Sequence, residues 1–148
     1  MSSIVFYKPT PTVKGSGAAF SCRPHRVDKN YQFYMNIIRQ VGWDAQRKIA
    51  SFKSNDTNNE IAVKFNVVEL GRICRALAKK EAFDTVHRFN ETSTSIRMGW
   101  TDYRGKPIFS ISVSQNGEKY GIGLDANEAY VVSKFCDDAI LKLCQDVE

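Results

Sequence analysis

Apolar and polar residues alternate along several stretches of this chain, which is the pattern of strands that bury one face. The segment YQFYMNIIRQV, from Tyr31 to Val41, has Gln32, Asn36 and Gln40 on one face, and its other face carries Tyr31, Phe33, Met35, Ile37 and Val41. The same alternation marks three shorter segments, AAFSC, KIASFKS and EIAVKF. The pattern therefore predicts four strands in the first half of the chain.

The period of the apolar residues changes to that of a helix after this last strand. Asn66 is followed three residues later by Glu69, the spacing of a helix-capping box, and Lys79 and Lys80 come at the carboxyl end, where a helix dipole favours cations. The apolar stripe between them has helical spacing: Leu70, Ile73, Cys74 and Leu77. We therefore predict that one helix follows the four strands.

The second half of the chain repeats this plan. Four alternating segments, FDTVHRF, TSIRMGW, IFSISVS and KYGIGL, are followed by Asp125 and Glu128 at the capping-box spacing, 59 residues after Asn66. A helical stripe completes the unit: Ala129, Val132, Cys136, Ala139, Ile140 and Leu143. The predicted fold class is α+β, with two repeats of four antiparallel strands followed by one helix.

The chain has 148 residues, which suits a single domain. Pro9, Pro11 and the nearby threonines predict an extended N-terminal arm over residues 1–13, ahead of one domain over 14–148. No apolar run reaches the length of a membrane span, and the first residues lack the basic start and long apolar stretch of a signal peptide. We expect no membrane partner and a cytoplasmic protein, in a bacterium or an infected host, with an organelle or the nucleus left open.

The segment VKGSGAAFSC could be a phosphate-binding loop, a turn or the entry to a sheet. Its glycines do not match the spacing of a P-loop, and a strand rather than a helix follows them. We therefore interpret Gly15 and Gly17 as parts of a tight turn, which leaves Lys14 as a cation at the sheet edge.

The charge is divided unevenly between the two halves of the chain. Residues 1–80 carry a formal charge of +9 and residues 81–148 carry −4, giving +5 in total. A basic half attracts polyanions, and the acidic remainder can repel them, although a solvated surface accounts for the same numbers.

Enzymatic chemistry has little support in the sequence. The four cysteines form no C-x-x-C pair, and His25 and His87 are not placed to complete a zinc site. Asp44, Asp84 and Asp102 show no paired spacing for a metal. We predict reduced thiols, no metal, no cofactor and no catalytic residues, and keep a nuclease only as a remote alternative.

The order of these motifs resembles that of the Whirly and transcription-coactivator-like family, from about Lys14 to Leu143. KGSGAAF, from Lys14 to Phe20, stands where that family has a K-G-K-A-A-L type motif. GWDAQRK and VKFNVVELGRI are similar to its central segments, and GLDANEAYVVSKF is similar to its last strand-to-helix junction. The chain departs from the motif at Ser16, in place of the second lysine, which puts the assembly contacts of that motif in question.

The resemblance implies a protein that binds single-stranded DNA with little sequence specificity, and DNA rather than RNA. The processes open to it are DNA replication, recombination, repair or transcription, and a viral or phage origin suits its compact size. Two alternatives remain: an RNA-binding or RNA-annealing protein of the same fold, or a transcription-regulating protein-interaction module that recruits a polymerase.

The binding surface follows from strand alternation, since single-strand binders combine cations with aromatic rings on which bases stack. If Phe20, Phe33, Phe52 and Met98 face the helices, their strand neighbours face outward. Trp43 is predicted to stack on a base or, equally, to plug the turn beneath it, whereas Trp100 is predicted to be buried. The candidate nucleic-acid-binding residues are Lys14, Arg23, Tyr34, Arg39, Trp43, Arg47, Lys48, Lys53, Arg97, Tyr103, Arg104 and Lys106.

The last predicted helix carries a wider apolar stripe than one sheet requires, including Val131 and Phe135 beside the core positions. The family resemblance implies symmetric tetramers, and exposed sheet edges also favour assembly. We therefore expect a homo-oligomer with four subunits.

Overall fold

The computed structural model describes residues 3–11, 17–52 and 59–145. Ten strands and two helices lie within these ranges. Their bounds are β1 Ile4–Lys8, β2 Ala18–Val27, β3 Asn30–Arg39, β4 Gly42–Asp44, β5 Ile49–Ser51, β6 Glu60–Lys64, α1 Val67–Lys79, β7 Phe83–Phe89, β8 Thr92–Tyr103, β9 Lys106–Gln115, β10 Glu118–Leu124 and α2 Ala126–Gln145.

Two four-stranded antiparallel sheets form the framework, each followed by one helix as predicted. Sheet 1 has the strand order β1-β2-β3-β6, and sheet 2 has the order β10-β9-β8-β7. A separate two-stranded hairpin, β4-β5, leaves sheet 1 between β3 and β6. The α+β class and the repeated plan of strands and helix are confirmed.

The membership of sheet 1 differs from the prediction in one strand. The strand Ile49–Ser51, within the segment KIASFKS, does not join sheet 1 and pairs with Gly42–Asp44. The fourth strand is instead Ile4–Lys8, within the predicted arm, paired with β2 from Ile4↔Cys22 to Lys8↔Ala18. A strand gains most by joining a sheet when it can bury a face, and IVFYK packs Ile4 and Phe6 against the core, whereas Ile49 stays exposed.

Both helices begin at the predicted caps. The Glu69 backbone N–H donates to Asn66 Oδ1 at 2.8 Å, and the Asn66 N–H donates to Glu69 Oε1 at 3.1 Å. Asp125 and Glu128 make the same reciprocal pair at 2.8 and 3.0 Å. These bonds satisfy amide groups that a helix N-terminus otherwise leaves without partners.

One hydrophobic core joins the two sheets and the two helices. Phe20 and Phe33 from sheet 1, and Phe109 from sheet 2, are almost completely buried. Trp100 is half-buried; its Nε1 donates to the Leu77 carbonyl at 3.1 Å, and its ring packs edge-on against Phe109 at 5.3 Å. Trp100 is thus only partly buried, whereas the sequence predicted that it is buried.

Phe52 does not face the helices, contrary to the alternation assumed for KIASFKS. Its ring packs instead against Tyr7 at a centroid distance of 5.3 Å. Tyr7 pairs with Ala19, so both lie on the face of sheet 1 opposite to Phe20 and the core. The β4-β5 hairpin leaves the sheet before Phe52, and this departure removes Phe52 from the alternation of the neighbouring strands.

A buried amide joins the segments that meet at the end of β3. Gln40 is 1% exposed; its Nε2 donates to the carbonyls of Thr10 and Gly42, and its Oε1 accepts from the Thr10 N–H at 2.9 Å. The Gln40 backbone N–H donates to the Gly17 carbonyl at 2.8 Å. A Cβ on Gly17 would collide with the Gln40 carboxamide, so glycine is required there by close approach.

Replacing Gln40 with Ala should lower the free energy of unfolding by about 2–3 kcal/mol, because the half-buried peptide groups of Thr10 and Gly42 lose their hydrogen bonds to its side chain. Urea denaturation of the variant and the parent measures the difference. Gln46→Ala, in the exposed turn of the hairpin, is the matched control and should change stability by less than about 0.5 kcal/mol. Equal stability of the two variants would contradict the role given to Gln40.

Candidate nucleic-acid interface

The outward face of sheet 1 carries a row of three side chains that alternate in chemistry. Strand pairing places Arg23 opposite Tyr34, and Tyr34 opposite Lys64, so the three lie side by side across β2, β3 and β6. The two cations are exposed and the ring of Tyr34 is half-buried. We call Arg23, Tyr34 and Lys64 the cationic row.

Local hydrogen bonds orient two members of this row. Arg23 Nε donates to Ser21 Oγ at 3.2 Å, which leaves the terminal guanidinium nitrogens available. The Tyr34 hydroxyl donates to Gln32 Oε1 at 3.1 Å. Lys64 was not among the predicted site residues, although its position between the buried Val63 and Phe65 already indicates an outward side chain.

A groove lies where sheet 1 meets the edge strand of sheet 2. It has a volume of about 670 Å³, and we call it the intersheet groove. Tyr7 and Tyr103 line it, each 60% exposed, together with Ser110 and the side-chain-free positions Gly121 and Gly123. Tyr7 is not among the predicted site residues, because the sequence predicts an extended arm over residues 1–13.

The turn between β8 and β9 brings cations to this groove. Arg104 lies over the Tyr103 ring, with its guanidinium carbon 5.2 Å from the centroid, and Lys106 pairs with Tyr103 across the hairpin. Arg104 and Gly105 have φ values of 52° and 80°, in the left-handed region that such a tight turn requires. Three predicted site residues are therefore clustered at one end of the intersheet groove.

The β4-β5 hairpin presents further predicted residues at its tip. Asp44 Oδ1 accepts from the backbone N–H groups of Gln46 and Arg47, and this turn exposes Arg47 and Lys48. Trp43 is half-buried opposite Ala50, which leaves both predicted roles, stacking platform and plug, compatible with its position.

Arg39 already has partners within the chain. Its Nη1 bonds Glu118 at 2.9 Å, its Nη2 donates to the Lys119 carbonyl at 2.6 Å, and its guanidinium carbon lies 4.2 Å from the centroid of Tyr120. These contacts join the end of β3 to the start of β10. The structure thus assigns Arg39 to the junction between the two sheets.

The remaining predicted residues lie elsewhere. Arg97 is on the outward face of sheet 2, paired with Asp84 and Ser112 in the strand ladder. Lys14 and Lys53 lie outside the described residues.

All four cysteines are free; burial raises the pKa of Cys22 to about 12, and a hydrogen bond with Cys74, together with burial, raises the pKa of Cys136. Across the described ranges, no three His, Cys, Asp or Glu side chains converge in a way that could hold a metal ion. Neither described helix is sufficiently long and apolar to cross a bilayer.

Comparison with known proteins identifies the fold. The structure is similar to that of WHY3 from Arabidopsis thaliana, with a TM-score of 0.66 at 13% identity, over 97% of this chain and 89% of that one. It is similar to WHY1 from the same plant, with a TM-score of 0.67 at 13% identity, over 96% of this chain and 84% of that one. It is also similar to the plant transcriptional regulator PBF-2, with a TM-score of 0.66 at 14% identity, over 97% of this chain and 82% of that one. No protein-family model and no curated protein sequence matches the chain. The chain therefore has a Whirly-like fold, as the sequence resemblance implied.

Proposed function

We propose that this protein binds single-stranded DNA with little sequence specificity, through the outward face of sheet 1 and the intersheet groove. The observation that carries the proposal is the cationic row, in which Arg23 and Lys64 flank the half-buried ring of Tyr34. Phosphates follow one another along a single strand with bases between them, so a cation–aromatic–cation row is complementary to one nucleotide step.

The intersheet groove extends this surface. Tyr7 and Tyr103 offer exposed rings, and Arg104 and Lys106 supply positive charge beside them. The small residues Ser110, Gly121 and Gly123 in its lining leave room for the backbone of a strand. Stacking rings accept the π-face of any base, which favours binding without sequence preference.

The Whirly-like fold supports this proposal, and one neighbour of that fold is described as a transcriptional regulator. We extend the proposal to a non-enzymatic protein of the cytoplasm, with no membrane partner, that acts in DNA replication, recombination, repair or transcription. The alternatives are RNA binding and recruitment of a protein partner. In the next experiment, tighter binding to the RNA strand would favour the first, and no binding to either strand would favour the second.

The protein should bind an unstructured oligothymidine far more tightly than a duplex of equal length, because stacking requires unpaired bases. The logarithm of the association constant should fall with the logarithm of salt concentration, by about 0.7 for each neutralised phosphate. Fluorescence anisotropy at several salt concentrations measures both, with an RNA strand of the same sequence alongside. Equal affinity for duplex, or no dependence on salt, would refute the proposal.

Variants of the cationic row should separate stacking from charge. Tyr34→Leu should weaken binding by about 1–3 kcal/mol without changing the salt slope, whereas Arg23→Gln should weaken binding and reduce the slope by about 0.7. Arg75→Gln, on the exposed side of α1, and Phe89→Leu, at the β7-β8 turn, are matched controls that should bind like the parent. If the row variants behave like the controls, nucleic acid binds elsewhere.

We also propose a homo-oligomer, with four subunits as the expected number, assembled through α2. Tyr130 and Leu141 on this helix are more than 60% exposed, and Phe135 and Ile140 are half-buried. Tyr130 and Leu141 share the helix face that is turned away from the core, and exposed apolar side chains on a shared face are typical of an interface. Light scattering should give a multiple of the 16.8 kDa chain, and Leu141→Glu should lower that mass; a parent protein of monomer mass at micromolar concentration would contradict the assembly.

A further inference from the structure

A second groove lies at the opposite edges of the two sheets, between β6 of sheet 1 and β7 of sheet 2. Its volume is about 590 Å³, within the range of nucleotide-sized pockets. We call it the edge groove. Lys64, the last member of the cationic row, stands on its rim, so the groove continues the surface described above.

A hydrogen-bond network fixes the chemistry of His87 in this groove. Glu69 Oε1 accepts from the Asn66 N–H, and its Oε2 accepts from the Thr85 hydroxyl at 3.2 Å. His87 Nε2 lies 2.6 Å from the same Oε2. Because a carboxylate accepts hydrogen bonds, His87 donates through Nε2. In the neutral ring, Nδ1 is then an acceptor, and the described residues provide it with no hydrogen bond.

Gln32 offers the complementary donor. Its Oε1 accepts from the Tyr34 hydroxyl, which assigns the NH₂ group to the other position of the amide. Within the described ranges Lys64 makes no ion pair, so its ammonium is also available. The groove thus presents an acceptor, an amide donor and one cation.

The groove also has apolar walls, beside the polar residues Asn30, Asn66 and Glu69. Tyr31, Phe65, Val86 and Leu143 contribute to its walls, and Val86 is about half exposed. A flat ligand can therefore bury its faces there while its edge meets polar groups. This combination suits a nucleobase better than a simple anion, because an anion would use the cation but would gain nothing from the acceptor or from the apolar walls.

We propose that the edge groove is a subsite for one nucleotide of the bound strand, with the base inside and its phosphate at Lys64. The subsite rests on the proposed function, since the strand reaches the groove along the cationic row. The base edge faces Gln32 and His87, and Tyr34 stacks on the neighbouring base. The strand therefore turns from the open face of sheet 1 into the gap between the two sheets.

Photocrosslinking of the full chain to an oligothymidine that carries one 5-iodouracil tests the subsite. With the probe base scanned along the strand, peptide mapping should give two crosslinked regions, one at Tyr34 and one at His87. Val86→Trp, which fills the groove from its wall, should abolish the second region, retain the first and weaken binding at least about five-fold.

Charge variants provide a matched comparison. Lys64→Gln should weaken binding about five-fold or more and reduce the salt slope, whereas Arg75→Gln removes an equal charge from the exposed side of α1 and should leave both unchanged. The subsite alone is overturned if the parent protein binds and crosslinks at Tyr34 but not in the groove, and if Val86→Trp binds like the parent. A parent that does not bind single strands overturns the proposed function as well.

Discussion

The buried carboxamide of Gln40 is the interaction on which the arrangement of the candidate binding surface depends. The side chain forms hydrogen bonds with the peptide groups of Thr10 and Gly42, and the Gln40 backbone N–H donates to the Gly17 carbonyl. Three chain segments therefore meet at Gln40. A buried amide is stable only when its partners are present, which makes the site all-or-none. This junction places β1, with Tyr7, at the edge of sheet 1, and directs the β4-β5 hairpin away from it.

The register of strand pairing determines which side chains lie next to each other across sheet 1. Arg23, Tyr34 and Lys64 form a row only because β2, β3 and β6 pair in one register, and a slip by one residue would turn each strand's side chains to the opposite face. The fully buried Phe20 and Phe33 oppose such a slip, since it would expose them. Arg39 adds the link between sheets through Glu118 and Tyr120. The core thus determines the position of the polar surface.

Local patterns predicted those features that depend on local physics. Both helix caps, the four strands of sheet 2 and the outward positions of Arg23 and Tyr34 follow from residues close together in sequence. Strand β1 could not be predicted, because IVFYK becomes a strand only beside the exposed edge of β2. The partners of Arg39 lie 79 and 80 residues away. The intersheet and edge grooves are likewise products of how the sheets meet, and no sequence spacing encodes that geometry.

The central claim is that single-stranded DNA binds the outward face of sheet 1 and the grooves at its two edges, and not the helical side of the molecule. Amide chemical-shift mapping of the isotope-labelled protein, titrated with an unstructured oligothymidine, tests this claim most directly. We predict shifts centred on Arg23, Tyr34 and Lys64 and extending to Tyr7 and Tyr103, with little change along the exposed side of α1. Shifts concentrated on α1 and α2, with the face of sheet 1 unaffected, would contradict the account.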